Sequence, residues 1–144
     1  MSVTFTPAAT GTRTGALSVA DSAPASPQRV GLVGAATDVS LSVSRLNFGG
    51  HKVGTTRAAK SVTVSNVGTS AVIFTGSGIV IDGADAADFV VSANSCGPSL
   101  AAGASCTVSV KFQPTTTGAR SATLEFNDDG GASPQAVALS GTGT

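Results

Sequence analysis

Two segments of this chain repeat each other. Residues 2–37 align with residues 109–144 without a gap, at a constant offset of 107 positions. Identical residues recur along the alignment: Phe5 and Phe112, Pro7 and Pro114, Gly11 and Gly118, Arg13 and Arg120, Leu17 and Leu124, Asp21 and Asp128. A period this long does not fit a solenoid but suits a string of small domains, each with its own core. We therefore expect one complete domain at residues 38–144, preceded at residues 1–37 by the C-terminal third of another.

Apolar residues occupy every second position in most of the chain, and the breaks between these runs are rich in Gly, Ser, Asn, Asp and Pro. This period predicts strands. The candidates in the complete unit are residues 39–48, 60–66, 71–75, 77–82, 89–92, 106–112, 119–127 and 135–141. The sequence therefore predicts an all-β fold, an immunoglobulin-like antiparallel β-sandwich of seven to eight strands, preceded by three strands of the second repeat.

Two acidic segments interrupt the strand pattern. In residues 81–89 a short helical turn is plausible, with Asp85 accepting hydrogen bonds from the following backbone amides as a cap. Its three aspartates invite a calcium hypothesis, but they lack the spacing of an EF-hand loop, so turn formation is the better interpretation. Residues 127–131 are predicted to form a tight turn between strands. No metal or other cofactor is expected.

The chain contains two cysteines, Cys96 and Cys106, in a loop rich in Gly and Pro. Their spacing is too wide for one half of a zinc knuckle, and the sequence holds no second pair to complete such a site. We predict a disulfide bond, which would place the protein in an oxidising compartment. The alternative is a pair of reduced thiols that pack as small apolar residues.

Charge argues against nucleic acid as a partner. Charged residues make up 11% of the chain, the formal net charge is zero, and the eight basic residues are scattered. A polyanion requires clustered Lys and Arg. No apolar run has the length of a membrane span, and the first 20 residues lack the pattern of a signal peptide, so we expect no membrane insertion in this segment.

Several motifs together resemble bacterial choice-of-anchor D repeats, which are similar to the ASPM/SPD-2/Hydin (ASH) domains of cilia and centrosomes. The motifs are LNFGG at 46–50, VGT at 53–55, VTVSNVG at 62–68, DAADF at 85–89, CTVSVKFQP at 106–114, TGAR at 117–120, SPQ at 133–135 and LSGTG at 139–143. The resemblance covers nearly the whole chain. It implies an Ig-like sandwich within long exported bacterial surface proteins and no enzymatic activity.

Two functions are weighed against that expectation. Catalysis needs a nucleophile, a base or a metal site, yet the sequence has a single histidine, His51, in a loop, and no Gly-x-Ser-x-Gly motif. We therefore predict that the protein is not an enzyme. A carbohydrate-binding accessory domain of a secreted enzyme is the stronger alternative, but sugar-binding faces usually present Trp or Tyr, and this chain has neither.

We predict a non-catalytic structural or adhesive module of an exported or cell-surface protein, extracellular or periplasmic, whose partners are other protein chains or further copies of itself. Residues 2–37 supply the last strands of a sandwich, and the first half of that sandwich, which would cover them, is missing. One apolar face should therefore be exposed and prone to association. The predicted association face consists of Val3, Phe5, Leu17, Val19, Val30 and Leu32. This segment either pairs with another copy by strand exchange or packs end to end on its own domain.

Overall fold

The computed structural model describes residues 2–6 and 11–144, and its regular structure is almost entirely β. Two strands come first, β1 (Gly11–Val19) and β2 (Gln28–Ala36). Nine follow: β3 (Val39–Leu41), β4 (Arg45–His51), β5 (Lys60–Asn66), β6 (Val72–Asp82), β7 (Phe89–Asn94), β8 (Ser99–Leu100), β9 (Ser105–Phe112), β10 (Gly118–Asp128) and β11 (Gln135–Gly143). A single 3₁₀ turn, Ala86–Asp88, precedes β7 in this described part.

Strands β3 to β11 form two sheets that pack face to face. One sheet has the order β4-β11-β10-β6-β8 and the other the order β3-β5-β9-β7. Alternating side chains point between the sheets, as in β9, where Cys106, Val108, Val110 and Phe112 are buried and their neighbours face outward. Among the described ladders, all are antiparallel except the pair β4–β11, which is parallel. The predicted all-β, immunoglobulin-like sandwich is confirmed.

Apart from shifts of one to three residues at strand ends, the strands differ from the prediction in three places. The candidate at 39–48 is two strands in different sheets, because the chain crosses between the sheets after Leu41 and leaves Val43 partly exposed. The candidates at 71–75 and 77–82 are one strand, β6, whose ladder with β10 is irregular where two glycines with positive φ, Gly76 and Gly78, interrupt it. The short strand β8 was not expected.

Strands β1 and β2 form a separate two-stranded sheet that reproduces the hairpin β10–β11. Leu17 lies opposite Val30, just as Leu124, 107 positions later, lies opposite Val137. Of the three strands expected here, the first would fall on residues 2–6, which carry no strand assignment. The equivalent residues belong to β9, which pairs with β5 and β7, and the first hairpin has no counterpart of those two strands.

The core of the sandwich is centred on three phenylalanines from three strands. The ring centroid of Phe112 lies 5.8 Å from that of Phe48 and 5.0 Å from that of Phe89. The Phe112 ring also lies directly against the backbone of Gly141 in the opposite sheet, so that a Cβ on this glycine would sit 2.5 Å from Cε1 of the ring. This contact therefore requires glycine at position 141.

A disulfide bond joins Cys96 to Cys106, with an S–S distance of 2.02 Å. It connects the chain after β7 to the beginning of β9, ten residues later. Cys106 is buried in the core, and Cys96 packs against its edge. The bond therefore holds the loop that contains β8 against the core of the sandwich.

Replacing Gly141 by Ala should lower the free energy of unfolding by about 1 to 3 kcal/mol, because the added methyl group displaces the Phe112 ring from a well-packed core. Urea unfolding followed by circular dichroism measures the change. Gly31→Ala is the matched control, since a Cβ at that strand position meets nothing within 4 Å. Equal effects of the two substitutions would contradict the role given to the ring contact.

Replacing Cys96 and Cys106 together by Ala should cost about 2 to 3 kcal/mol of stability, because a closed loop of this length restricts the unfolded chain. The same urea titration, with the wild-type protein under reducing and non-reducing conditions as reference, checks this value. Unfolding midpoints that do not depend on reductant would show that the bond does not stabilise the fold.

Candidate functional site

The inner face of the first hairpin is the candidate interaction site. We call it the hairpin face and define it by the residues predicted for association, Val3, Phe5, Leu17, Val19, Val30 and Leu32. Directly opposed residues of an antiparallel pair share one side of a sheet, so the Leu17–Val30 pair places two of these side chains together. Phe5 reaches the same side because its ring lies on Gly34, where a Cβ would be 2.6 Å from Cε2 of the ring.

The hairpin face is uncovered, whereas the same positions in the second hairpin are in the core. Phe5 is 49% exposed and its counterpart Phe112 is 0% exposed. Val30 is 56% exposed, and its counterpart Val137 is 0% exposed. Leu17 and Leu32 are only half-buried. The face thus has the composition of a domain core and the solvent exposure of a surface.

A groove of about 480 Å³ lies at one end of this face. It is lined by Val3, Thr4, Phe5, Arg13, Thr14, Gly15, Gly31, Leu32, Val33 and Gly34. The groove brings together Val3, Phe5 and Leu32 of the predicted face, while Leu17, Val19 and Val30 lie outside its lining. Its walls are mainly apolar, and Arg13 adds a cation at the rim, a combination typical of a protein-binding surface.

Sequence reasoning missed an ion-pair network beside the second hairpin. Arg120 donates to Asp85 over 2.8 Å and its Nε lies 3.4 Å from Oδ2 of Asp88, which is buried. Asp88 also accepts hydrogen bonds from the backbone N–H and the hydroxyl of Thr115. The network ties the 3₁₀ turn to the segment that enters β10. The identity of Arg13 and Arg120 in the repeat was the signal that could have revealed it.

Asp85 does not cap the 3₁₀ turn as predicted. Its side chain makes no capping hydrogen bond and turns instead toward β10. The backbone N–H of Ser121 and the guanidinium of Arg120 donate to this carboxylate, and they hold its pKa below the ordinary value. A guanidinium and a backbone N–H together stabilise this carboxylate more than the free amides of a single turn would.

The turn that ends β10 holds a buried acid. Oδ1 of Asp128 accepts the backbone N–H of Gly130, while Oδ2 is buried without a hydrogen-bond partner. Burial raises the pKa of this carboxyl, and the nearby charges of Asp129 and Asp38 raise it further. Gln135 connects the same turn to Thr37, which lies two residues before the start of β3. The second hairpin therefore anchors the connection between the two sequence repeats.

Metal binding, catalysis by His51 and membrane insertion are the other functions considered from the sequence. In residues 2–6 and 11–144, no three His, Cys, Asp or Glu side chains group in a way that could hold a metal ion. His51 lies at the end of β4, where its carbonyl accepts the N–H of Thr144 and its Nε2 is buried without a hydrogen-bond partner. No helix of the described chain is long and apolar enough to cross a membrane.

Replacing Asp128 by Asn should raise the free energy of unfolding at neutral pH, since it removes a buried charge. A raised pKa means that the folded state binds this proton more tightly than the unfolded state. The contribution of Asp128 to stability therefore rises as pH falls from about 7 toward about 4, and the variant lacks that rise. Urea titrations across this range test the effect. Asp21→Asn, in the equivalent exposed turn, is the control, and equal pH profiles of the two variants would contradict the prediction.

Comparison with solved structures finds the same fold in proteins of diverse origin. The VesB protease of Vibrio cholerae matches with a TM-score of 0.52 and 22% identity, over 73% of this chain and 32% of that one. The secreted serine protease VesC of Vibrio cholerae matches with a TM-score of 0.55 and 20% identity, over 74% of this chain and 23% of that one. This chain therefore spans a third or less of either protease.

The ASH/PapD-like domain 7 of human CEP192 has a TM-score of 0.52 and 19% identity, and the match covers 75% of this chain and 86% of that domain. No curated protein sequence matches the chain. The family model described as "Abnormal spindle-like microcephaly-assoc'd, ASPM-SPD-2-Hydin" matches residues 34–136. That range contains strands β3 to β10 of the sandwich just described. The chain belongs to the ASH family.

Proposed function

We propose that this chain is a non-catalytic structural and adhesive repeat module of an exported or cell-surface protein, and that it associates with further copies of itself through the hairpin face. The Ig-type ASH fold supports the first part, since domains of this family are generally protein-interaction modules without catalytic activity. The observation that carries the second part is the exposure of a face whose duplicate forms the core of the sandwich.

Export is supported by the disulfide between Cys96 and Cys106, because such bonds persist in oxidising compartments. One of the similar structures, VesC, is a secreted serine protease of which a comparable domain is only a part. We propose an extracellular or periplasmic location on these grounds. The bacterial choice-of-anchor D assignment fits the same picture and stays a prediction.

Association through the hairpin face follows from its apolar area. Six apolar side chains that are partly or largely exposed present a patch on the order of 400 Å², a size at which the largest apolar patch of a protein is often functional. Two such patches, with the polar rim around them, approach the lower limit of a specific interface, so the association should be weak. We propose strand exchange as the route: residues 2–37 of one copy compete with residues 109–144 of another for the strands β3 to β7.

Phe5 is the aromatic residue that a carbohydrate-binding function would have to use. The other phenylalanines of the described chain are buried or half-buried. Phe5, however, lies on Gly34 as Phe112 lies on Gly141 in the core. This equivalence favours a position meant for burial against protein over a platform for a sugar ring.

Val30→Asp should shift the protein toward a monomer of 13.9 kDa, because a charge in the middle of the hairpin face opposes burial. Light scattering during size-exclusion chromatography over a range of concentrations measures the mass. The matched control is Ala16→Asp, at an exposed residue on the outer side of the same hairpin that does not line the groove, and it should leave the association unchanged.

Deleting residues 1–37 provides the second arm of the same experiment. The shortened chain retains every strand of the sandwich, β3 to β11, and should be monomeric at all concentrations. An unchanged oligomeric state after this deletion would overturn the proposed association.

A further inference from the structure

In the second hairpin, the apolar inner face is covered by the rest of the sandwich. The inner sides of β10 and β11 are buried by residues of the segment 38–108, among them Phe48, Val62 and Phe89. The first hairpin has the same register and the same ring-on-glycine contact, but nothing in the described chain occupies the place of that segment. The structure thus contains one hairpin with its natural cover and one without it.

The repeat preserves the inner positions of the hairpin more strictly than the outer ones. The inner pairs are Val3 and Val110, Phe5 and Phe112, Gly15 and Ala122, Leu17 and Leu124, Val19 and Phe126, Val30 and Val137, Leu32 and Leu139, Gly34 and Gly141. Every pair is identical or apolar in both copies. Outer positions differ in polarity and charge, such as Thr4 and Lys111, or Val33 and Ser140. A face kept apolar in this pattern is one that is buried in the working protein.

Arg13 provides an electrostatic reason for a partner of the same design. Its counterpart Arg120 pairs with Asp85 and Asp88, and both carboxylates belong to the segment 38–108. Arg13 points to the same side of its hairpin, four residues before Leu17, as Arg120 does before Leu124. A cover of the same design would bring two carboxylates to Arg13. A cover made of a second hairpin face would bring none of them.

Exchange between copies covers one hairpin only by uncovering another. Each chain has two hairpins and one segment 38–108, so a hairpin that captures this segment from another copy displaces the hairpin already bound there. The number of uncovered hairpins stays the same. The cover that lowers the free energy is a segment of this design that has no hairpin of its own.

We infer that the partner of the hairpin face is a segment of the design of residues 38–108, which completes a sandwich when it is joined to Ser2, and that Arg13 selects this segment through a pair of carboxylates at the places of Asp85 and Asp88. The gapless alignment makes the connection direct, because Ser2 corresponds to Ser109, the residue that follows this segment in the complete unit. This inference names the partner of the face on which the proposed function rests. Self-association is then what the face does when that partner is not supplied.

The test is an extended chain in which a copy of residues 38–108 is joined to the N-terminus of residues 2–144. Hydrogen exchange of the backbone amides in β1 and β2 should slow by at least about 100-fold relative to the original chain, because the hairpin becomes part of a closed sandwich. The extended chain should also be monomeric by light scattering. Unchanged exchange in β1 and β2 would overturn the inference, even if the original chain associates as proposed.

Arg13→Leu in the extended chain tests the selecting residue. It should speed the exchange of the first hairpin by about tenfold, because it leaves a buried carboxylate at the place of Asp88 and a partly buried one at the place of Asp85 without their cation. Replacing the added copies of Asp85 and Asp88 by Asn should abolish most of this effect. Arg13→Leu in the original chain is the matched control, because it measures what Arg13 contributes within its own hairpin, and the effect in the extended chain should be several-fold larger. Equal effects of Arg13→Leu in both chains would show that Arg13 serves its own hairpin and does not select a partner.

These outcomes separate the two proposals. Loss of self-association in the extended chain together with slow exchange supports both. Slow exchange with an original chain that never associates supports the partner and refutes the proposed association. Association that persists in the extended chain, with fast exchange in β1 and β2, refutes the partner alone.

Discussion

The contact between the Phe112 ring and the backbone of Gly141 holds the two sheets of this sandwich together. Phe112 belongs to one sheet and Gly141 to the other, so the ring spans the core. Phe48 and Phe89 surround the ring and extend this cluster to the edge strands of both sheets. A ring can approach a backbone this closely only at glycine. The close packing of Phe112 therefore depends on residue 141 having no side chain. The chain has few charges and few aromatic residues, and it concentrates three of its six phenylalanines at this point.

The first hairpin keeps the same contact after losing the rest of the core. Phe5 lies on Gly34 although neither residue has a second sheet to pack against. Two antiparallel strands with one apolar side gain little from such a contact alone, and isolated hairpins are marginal in water. In the association that we propose, this contact gives the hairpin a pre-arranged apolar surface. Such an arrangement reduces the conformational entropy that the hairpin itself loses on binding.

Much of the fold could be predicted from alternation, and the failures have physical reasons. The strand at residues 60–66 matches its predicted bounds because Val62 and Val64, which alternate with polar residues, are both buried on one side of it. The crossing between sheets after Leu41 was hidden because Val43 continues the alternation and is nevertheless partly exposed. The parallel pair β4–β11 could not be foreseen, since pairing between distant strands leaves no local pattern. The apolar hairpin face was predictable, but the roles of Asp85 and Asp88 were not, since they depend on an arginine more than thirty positions away.

The ion pairs of Arg120 with Asp85 and Asp88 are unusual in a chain with so few charged residues. Buried ion pairs contribute little net stability, but they discriminate between alternative partners of similar shape. This discrimination matters here because both hairpins present nearly the same apolar face to the segment 38–108. The second hairpin has Phe126 where the first has Val19, and Thr115, which binds Asp88, where the first has alanine in the sequence. The second hairpin is thus the better fit to the segment 38–108 of its own chain, and the exchange between copies that we propose should therefore be weak.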